Sequence, residues 1–394
     1  MKIDVLLTDG HYKHTYAILR ALVEKKLSVG VLFHRKLSLS FSSRYVSKRF
    51  IVSPLIYDDE SIYLNEIQNI LKNNDIKVLL PVGSISNNLA SKYKSEINRY
   101  TKVPVVDYDK MNLAQNKSET FKFAKEINIT IPLTYHINSV DEIENTVEDI
   151  NFPAVIKKVN PNESGVIYCN NSRELLNLYK ENVKQLNANK TLPIIQEYIK
   201  GDGVGYYALF NQGKCESYFM HERLHEYPIT GGSSTFAKSS YNEELKYLGE
   251  KILSSLDWHG VAMVEFKRDR MGHYYLMEIN PKFWGSLELS YKAGLNFPYM
   301  VYLLALEKKI PSQSYKKDIY FRWSIPHDLM WMKFSNKKQK DEFKSLKNNV
   351  RIHNNLHFDD PLTIIFNLLF LIFKYFTDKK FPHSHIKNEL LENC

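Results

Sequence analysis

Cysteine is scarce: Cys169, Cys215 and Cys394 are the three in 394 residues, far apart in the chain. With no CxxC pair and no Cys/His cluster, a disulfide framework and a structural zinc site are both excluded. A reducing compartment, the cytoplasm, is the expectation. Glycine (15) and proline (14) are also sparse, which excludes collagen-like and loop-dominated architectures. No apolar run reaches the roughly 20 residues of a membrane span. Met1 to Leu7 is followed at once by Asp9 and Gly10, so the apolar core of a secretory leader is missing there.

What is present looks globular. Hydrophobic residues make up 44% and charged residues 25%, with length enough for two or three domains and a large core. The formal charge is +9, a surplus that suits phosphate-bearing ligands, anionic lipid or nucleic acid. Basic residues are scattered without a nucleic-acid-binding motif, so nucleic acid is not an expected partner. From Pro311 onward there are 14 Lys/Arg against 9 Asp/Glu.

Residues 2–8 read as a buried strand, Thr15 to Lys26 as an amphipathic helix, and Val29–Phe33 as a second strand. A further apolar run covers Val78 to Gly83 after a helical stretch near 60–73. Strands alternating with helices imply a parallel sheet, so residues 1–110 are expected to form an open α/β domain. Its first turn, Thr8-Asp9-Gly10-His11, is not GxGxxG and gives no support to a dinucleotide site. A helix from about Asn112 to Ile127 opens an α+β region. Short strands are expected at Ala154–Lys158, Val166–Cys169, Ile194–Tyr198 and Tyr206–Phe210, with a helix around 172–186. The apolar segment 362–376 is too short to span a bilayer. It reads either as a helix docked on the body or as one lying at a membrane interface beside Lys379 and Lys380.

The chemistry concentrates between Val261 and Trp284. Val261–Phe266 is an apolar strand carrying Glu265, and Tyr274–Pro281 a second carrying Glu278 and Asn280. Residues two apart on a strand share a face, and a hairpin folded about 270–271 sets Glu265 opposite residues 276–278. Three hard oxygen donors then converge, as Mg²⁺ prefers. The alternative is a pair of sheet carboxylates held by Lys or Arg, for a buried carboxylate is costly unless paired. A metal held this way expects a nucleotide. Lys157 ends a buried strand where a phosphate could sit, and Pro161–Gly165 is a turn able to offer backbone N–H groups. Ile194–Ile199 is a strand whose edge could bond a flat base.

This order of elements resembles the ATP-grasp superfamily over roughly residues 1–310, most of all its carbamoyl-phosphate-synthase-like carboxylate–amine ligases. The Glu-x-Asn-Pro run followed by Phe283-Trp284-Gly285-Ser286 is the most specific piece. The resemblance implies an α/β fold: an N-terminal open parallel-sheet domain (1–110), two α+β ATP-grasp subdomains (111–200 and 201–310) and a helical C-terminal extension (311–394). It assigns Lys117 and Lys157 to the ATP phosphates, and Ser164 and Gly165 to a phosphate lid. Gln196, Glu197 and the Ile199 backbone fall in the adenine hinge, with Asp202 nearest the ribose. Glu265, Glu278 and Asn280 become the Mg²⁺ (or Mn²⁺) ligands. Where the family usually has Arg two residues after the metal-binding Asn, this chain has Lys282, a point charge without a bidentate fork. Arg223 and Lys282 are expected to hold a substrate carboxylate and an acyl-phosphate oxygen. Met220–Thr235, with tandem glycines, is read as a mobile loop at the acceptor side.

The implied activity is an ATP-dependent, ADP-forming ligation of a carboxylate to an amine, on a cell-envelope or surface-glycan precursor if segment 362–376 lies on the inner face of a membrane. A non-catalytic nucleotide-binding module acting as a membrane-proximal partner is the rival reading.

Overall fold

The computed structural model describes residues 2–36, 38–55, 60–139, 142–159, 166–184, 191–227, 232–366 and 368–369. The N-terminal sheet contains β1 (Lys2–Leu7), β2 (Val29–Phe33), β3 (Lys48–Ile51) and β4 (Asp75–Leu80), all parallel, in the order β3-β2-β1-β4. β1 and β2 are buried almost throughout, as near-continuous apolar strands between two helical layers must be. The helix Lys13–Val23 packs Ile18, Leu19 and Leu22 beneath them.

The expected helix over 112–127 is in fact two, Tyr108–Gln115 and Lys117–Glu126. Asn116 divides them. Its extended backbone stops the first, and its side chain caps the second by accepting from Ser118 N and Glu119 N at 3.0 and 3.3 Å. The next sheet is antiparallel, with β5 (Thr134–Tyr135), β6 (Ala154–Lys157), β7 (Val166–Cys169) and β8 (Ile194–Glu197) ordered β5-β8-β6-β7. Helix Ser172–Lys184 seals it through Leu175 and Tyr179.

The large sheet is built from β9 (Gly201–Asn211), β10 (Lys214–Tyr227), β11 (Ser233–Ser239), β12 (Gly260–Asp269), β13 (Tyr274–Asn280), β14 (Tyr320–Arg322) and β15 (Ile352–Asn354). Its order is β13-β12-β9-β10-β11-β14-β15. Residues 320–322 and 352–354 thus extend the edge of this sheet. The segment expected as a mobile loop, 220–235, is mostly ladder: Met220–Tyr227 and Ser233–Thr235 lie in paired strands. The β-rich sequence on either side outweighs the Gly-Gly signal. Residues 228–231 lie outside the described ones.

Helix Glu243–Ser255 crosses one face of the sheet with Gly249 against the Tyr206 ring. A Cβ at 249 would run into that ring. Gly249→Ala is therefore expected to cost about 1–3 kcal/mol, as overpacked cores do, despite alanine's better helix propensity. A lowered denaturation midpoint would show it, and an unchanged or raised one would mean the ring moves aside freely.

Of segment 362–376, residues 362–366 and 368–369 are described. Leu362, Ile365, Leu368 and Leu369 expose about half their surface. Among the described residues no helix is long and apolar enough to cross a membrane.

Candidate active site

A cleft of about 760 Å³ runs between the small sheet and the large one, with the N-terminal sheet's loops at one end. β12 alternates: Ala262, Val264 and Phe266 enter the core, while Met263, Glu265 and Lys267 reach the cleft. β13 needs a device to do the same. Leu276 pairs with Phe266 on the core side, and unbroken alternation would send 278 and 280 into the core too. A β-bulge at Met277 shifts the register by one, so Glu278 faces Glu265 and Asn280 faces Met263. The bulge is what turns both side chains into the cleft.

The three predicted oxygen donors do converge. Asn280 Nδ2 donates to Glu278 Oε1 at 2.7 Å and to Glu265 Oε1 at 3.2 Å. Protein cations reach the same carboxylates: Arg223 pairs with Glu265, and Lys117 Nζ stands 3.4 Å from Glu278 Oε2. Both readings weighed from the sequence, a metal set and a cation-held pair, therefore find support here. Burial raises the Glu265 carboxyl against the pull of Arg223, and the Glu278 charge raises it further. Glu278 goes the other way: burial opposes its charge, but Lys117, Asn280 and Lys157 outweigh it and hold the carboxyl low. Arg223 stays protonated, for Glu265 and Glu226 overcome the cost of its burial.

Two features favour more than a static ion-pair network. Six cationic side chains (Lys13, Lys117, Lys157, Arg223, Lys267, Lys282) line the cleft against four carboxylates (Glu197, Glu226, Glu265, Glu278), so the cleft is built for an anion. Lys117 is also the first residue of its helix, where the helix dipole disfavours a cation. A half turn of the Asn280 amide would present Oδ1 beside the two carboxylates, and that all-oxygen set fits a hard divalent ion.

Deeper in, Lys157 is 8% exposed and donates to Gln196 Oε1 at 2.6 Å. Burial pulls its ammonium down to about 8, although Glu278 pulls it up. Gln196 is oriented by donating to Thr134 Oγ1 at 2.8 Å. Glu197 is engaged by the Leu133 N–H at 2.8 Å, and the Ile199 carbonyl accepts from Lys267 Nζ at 3.1 Å. At the far end Lys282 Nζ donates to Ser84 Oγ at 2.6 Å.

Asp202 does not join them. Its largely exposed side chain pairs with Arg268 at 3.3 Å, away from the cleft wall that the neighbouring Gly203 lines. Alternation along β9 is the reason, since consecutive residues face opposite ways. Ser164 and Gly165 lie outside the described residues. Sequence reasoning missed Lys13, Ser84, Tyr207, Lys267 and Ser286 in the cleft wall. Lys267 was findable, two residues beyond Glu265 on one strand face. The others arrive through tertiary packing.

An antiparallel sheet and a largely antiparallel one closing on a cation-rich cleft, behind a parallel α/β sheet, define an ATP-grasp fold. Residues 216–324 match the family model described as ATP-grasp in the biosynthetic pathway with Ter operon. The carbamoyl phosphate synthase large chain of Clostridium acetobutylicum is 20% identical over 263 residues, 63% of this chain and 24% of that protein. The match thus spans about a quarter of that relative's length. N5-carboxyaminoimidazole ribonucleotide synthase of Staphylococcus epidermidis is 25% identical over 272 residues, 68% of each protein. Among solved structures, the biotin carboxylase domain of Hydrogenobacter thermophilus 2-oxoglutarate carboxylase, in complex with MgADP and bicarbonate, superposes with a TM-score of 0.66. It does so at 13% identity over 81% of this chain and 74% of that one. The chain thus has the ATP-grasp fold, and its residues 216–324 match an ATP-grasp family model.

Proposed function

We propose that this protein is an ATP-dependent, ADP-forming ligase that joins a carboxylate to an amine. The observation that carries the reading is the cleft itself, where a bulge brings Glu265, Glu278 and Asn280 together inside a surplus of cations. The MgADP and bicarbonate in the biotin carboxylase relative are the ligand types such a cleft would take.

In the reaction, a substrate carboxylate oxygen attacks the γ-phosphorus of ATP; the new O–P bond forms as the P–O bond to ADP breaks. The amine nitrogen then attacks the acyl carbon of the acyl phosphate, forming C–N, expelling phosphate and losing a proton. Phosphoryl transfer asks mainly for alignment and charge neutralisation. In this reading Lys117 and Lys157 hold the phosphates, and Gln196, Glu197 and the Ile199 backbone hold the base. Arg223 and Lys282 take the carboxylate and the acyl-phosphate oxygen. Magnesium (or manganese), held by Glu265, Glu278 and Asn280, would offset the charge of the terminal phosphates.

An ADP-release screen over amino acids and sugar acids, with and without amines, tests this. The expected result is Mg²⁺-dependent ADP formation that needs a particular carboxylate and amine together. Stoichiometric ATP binding with no ADP from any mixture would instead establish the non-catalytic module. A lipid-linked or cell-envelope acceptor is the extension favoured by the exposed Leu362, Ile365, Leu368 and Leu369. The same screen with anionic vesicles should then show higher activity, and no effect of vesicles would remove that extension.

A further inference from the structure

Residues 361–366 and 368–369 are helical, and this helix is inside out. A surface helix ordinarily turns its apolar stripe to the body and its polar side to water. Here Asp360 and Thr363, 1% and 2% exposed, face in. Leu362, Ile365 and Leu369, at i, i+3 and i+7 on one helical face, expose about half their surface. Leu368 borders that stripe, and Phe358, in the turn before the helix, is 80% exposed.

Hydrogen bonds fix this orientation. The Asp360 carboxylate accepts from Ser43 Oγ at 2.6 Å, from the Tyr16 hydroxyl at 3.0 Å and from Arg44 N at 3.3 Å. Thr363 Oγ1 donates to the Asp360 carbonyl at 2.7 Å. Asp359 accepts from the Tyr45 hydroxyl at 2.6 Å and pairs with Arg20 at 3.0 Å. Pulling a buried carboxylate away from three donors is costly, so this clasp holds the polar side down and leaves the apolar side out. An exposed apolar stripe of this kind marks an interaction surface.

The charge around the stripe says what covers it. The clasp seats the helix on a loop that belongs to a basic segment: residues 25–57 carry seven Lys/Arg and no Asp or Glu. Arg44 and Arg49 in that loop are exposed, while the two acids of the clasp are engaged by the bonds just given. In sequence the apolar run continues to Phe376 with no acid between 361 and 377, and Lys379 and Lys380 follow. A protein groove would have to match the shape of one helical face. An apolar run too short to span a bilayer and edged with base needs only an acyl layer beneath anionic headgroups.

We propose that Phe358 and the 361–369 stripe, together with the basic loop 38–49, form one docking surface for an anionic bilayer. The apolar stripe enters the boundary between headgroups and acyl chains, and the cations meet lipid phosphates. Insertion combined with a basic patch supplies the two signals that stable peripheral binding requires. The inference concerns binding alone and does not rest on the ligase reading, for vesicle capture is read without turnover.

Full-length protein is floated with vesicles of phosphatidylcholine alone and of phosphatidylcholine mixed with phosphatidylglycerol. Wild type should float with the anionic vesicles, much less with the neutral ones, and progressively less as salt is raised. Leu362→Ser/Ile365→Ser should weaken capture by about tenfold or more, as expected for two half-buried aliphatic chains. Arg44→Gln should weaken it about fivefold, as expected for one cation near an anionic surface. Failure of wild type to float, equal flotation with both lipids, or unchanged flotation of either variant would overturn the surface. So would a dimer in sedimentation equilibrium that the double serine variant dissolves, with no vesicle capture, since the stripe would then pair two copies of the chain. A circular-dichroism melt of each variant separates loss of binding from loss of fold. If the double variant fails to fold, Phe358→Ser, in the exposed turn outside the helix, takes its place and should likewise weaken flotation.

Discussion

Glu278→Gln is expected to keep the fold and lose Mg²⁺-dependent ADP release by more than about a hundredfold. Losing the outer partner of a metal ligand typically costs 10- to 100-fold, and a ligand itself should cost more. The substitution is nearly isosteric and leaves an oxygen for Asn280, so the bulge and the hairpin survive. What disappears is the charge that balances Lys117 at 3.4 Å and, at longer range, Lys157. A stability change should accompany it. The Glu278 carboxyl sits below its ordinary value in the folded protein, so its ionised form stabilises the fold above the unfolded pKa, and that contribution fades as pH falls through the lowered folded value. The variant should therefore melt lower than wild type near neutrality, with the gap closing in acid. Those melting data alone would fit a purely structural ion pair. The metal reading requires in addition that Mn²⁺ with ADP raises the wild-type melting temperature and leaves that of Glu278→Gln unmoved. Near-normal Mg²⁺-dependent ADP release by the variant would remove Glu278 from the site.

Much of this site was legible because strand alternation and the Glu-x-Asn-Pro run are local patterns. Glu265, Glu278, Asn280, Lys157 and Gln196 all stand in the cleft as expected. The Met277 bulge was not legible. Alternation read from Leu276 alone would have buried Glu278 in the core; folding the hairpin about 270–271 against Glu265 is what set the two carboxylates side by side in the sequence reading. Asp202 shows the converse, since nearness in sequence to the hinge does not fix the face of a strand, and its side chain pairs with Arg268. Lys13 gave no signal at all. It begins an ordinary amphipathic helix, and its position depends on how the N-terminal sheet docks against Gly285 and Trp323, more than 270 residues away. The helix break at Asn116 was readable in principle, for Asn followed by a helix-forming run is an N-cap signal.

Lys157 should give nucleotide affinity a pH dependence that runs opposite to that of stability. Its ammonium is almost fully enclosed; among the described residues it donates to Gln196 Oε1 at 2.6 Å, with the Met277 sulfur at 3.8 Å and the Phe121 ring centroid at 5.8 Å. Burial brings it down to about 8, Glu278 opposing and Lys117 and Lys267 assisting. A phosphate binds the charged form, so affinity should be nearly level up to pH 7 and fall about tenfold by pH 9, one unit above that value. The sign for stability is reversed. Between about 8 and the unfolded value of 10.5, the unfolded chain holds a proton that the folded one has released. Stability without nucleotide thus gains about 1.4 kcal/mol per pH unit from this group over that window. Lys157→Met should abolish both trends relative to wild type. It should also weaken MgADP binding at pH 7 by about 10- to 100-fold, the worth of a charge-assisted hydrogen bond. Lys157→Arg keeps the charge at every pH and should flatten the affinity profile while losing some strength to its different geometry. Isothermal titrations at pH 7, 8 and 9, paired with denaturant melts of the free protein, read both quantities. Parallel pH profiles for wild type and Lys157→Met would show that another group carries the phosphates.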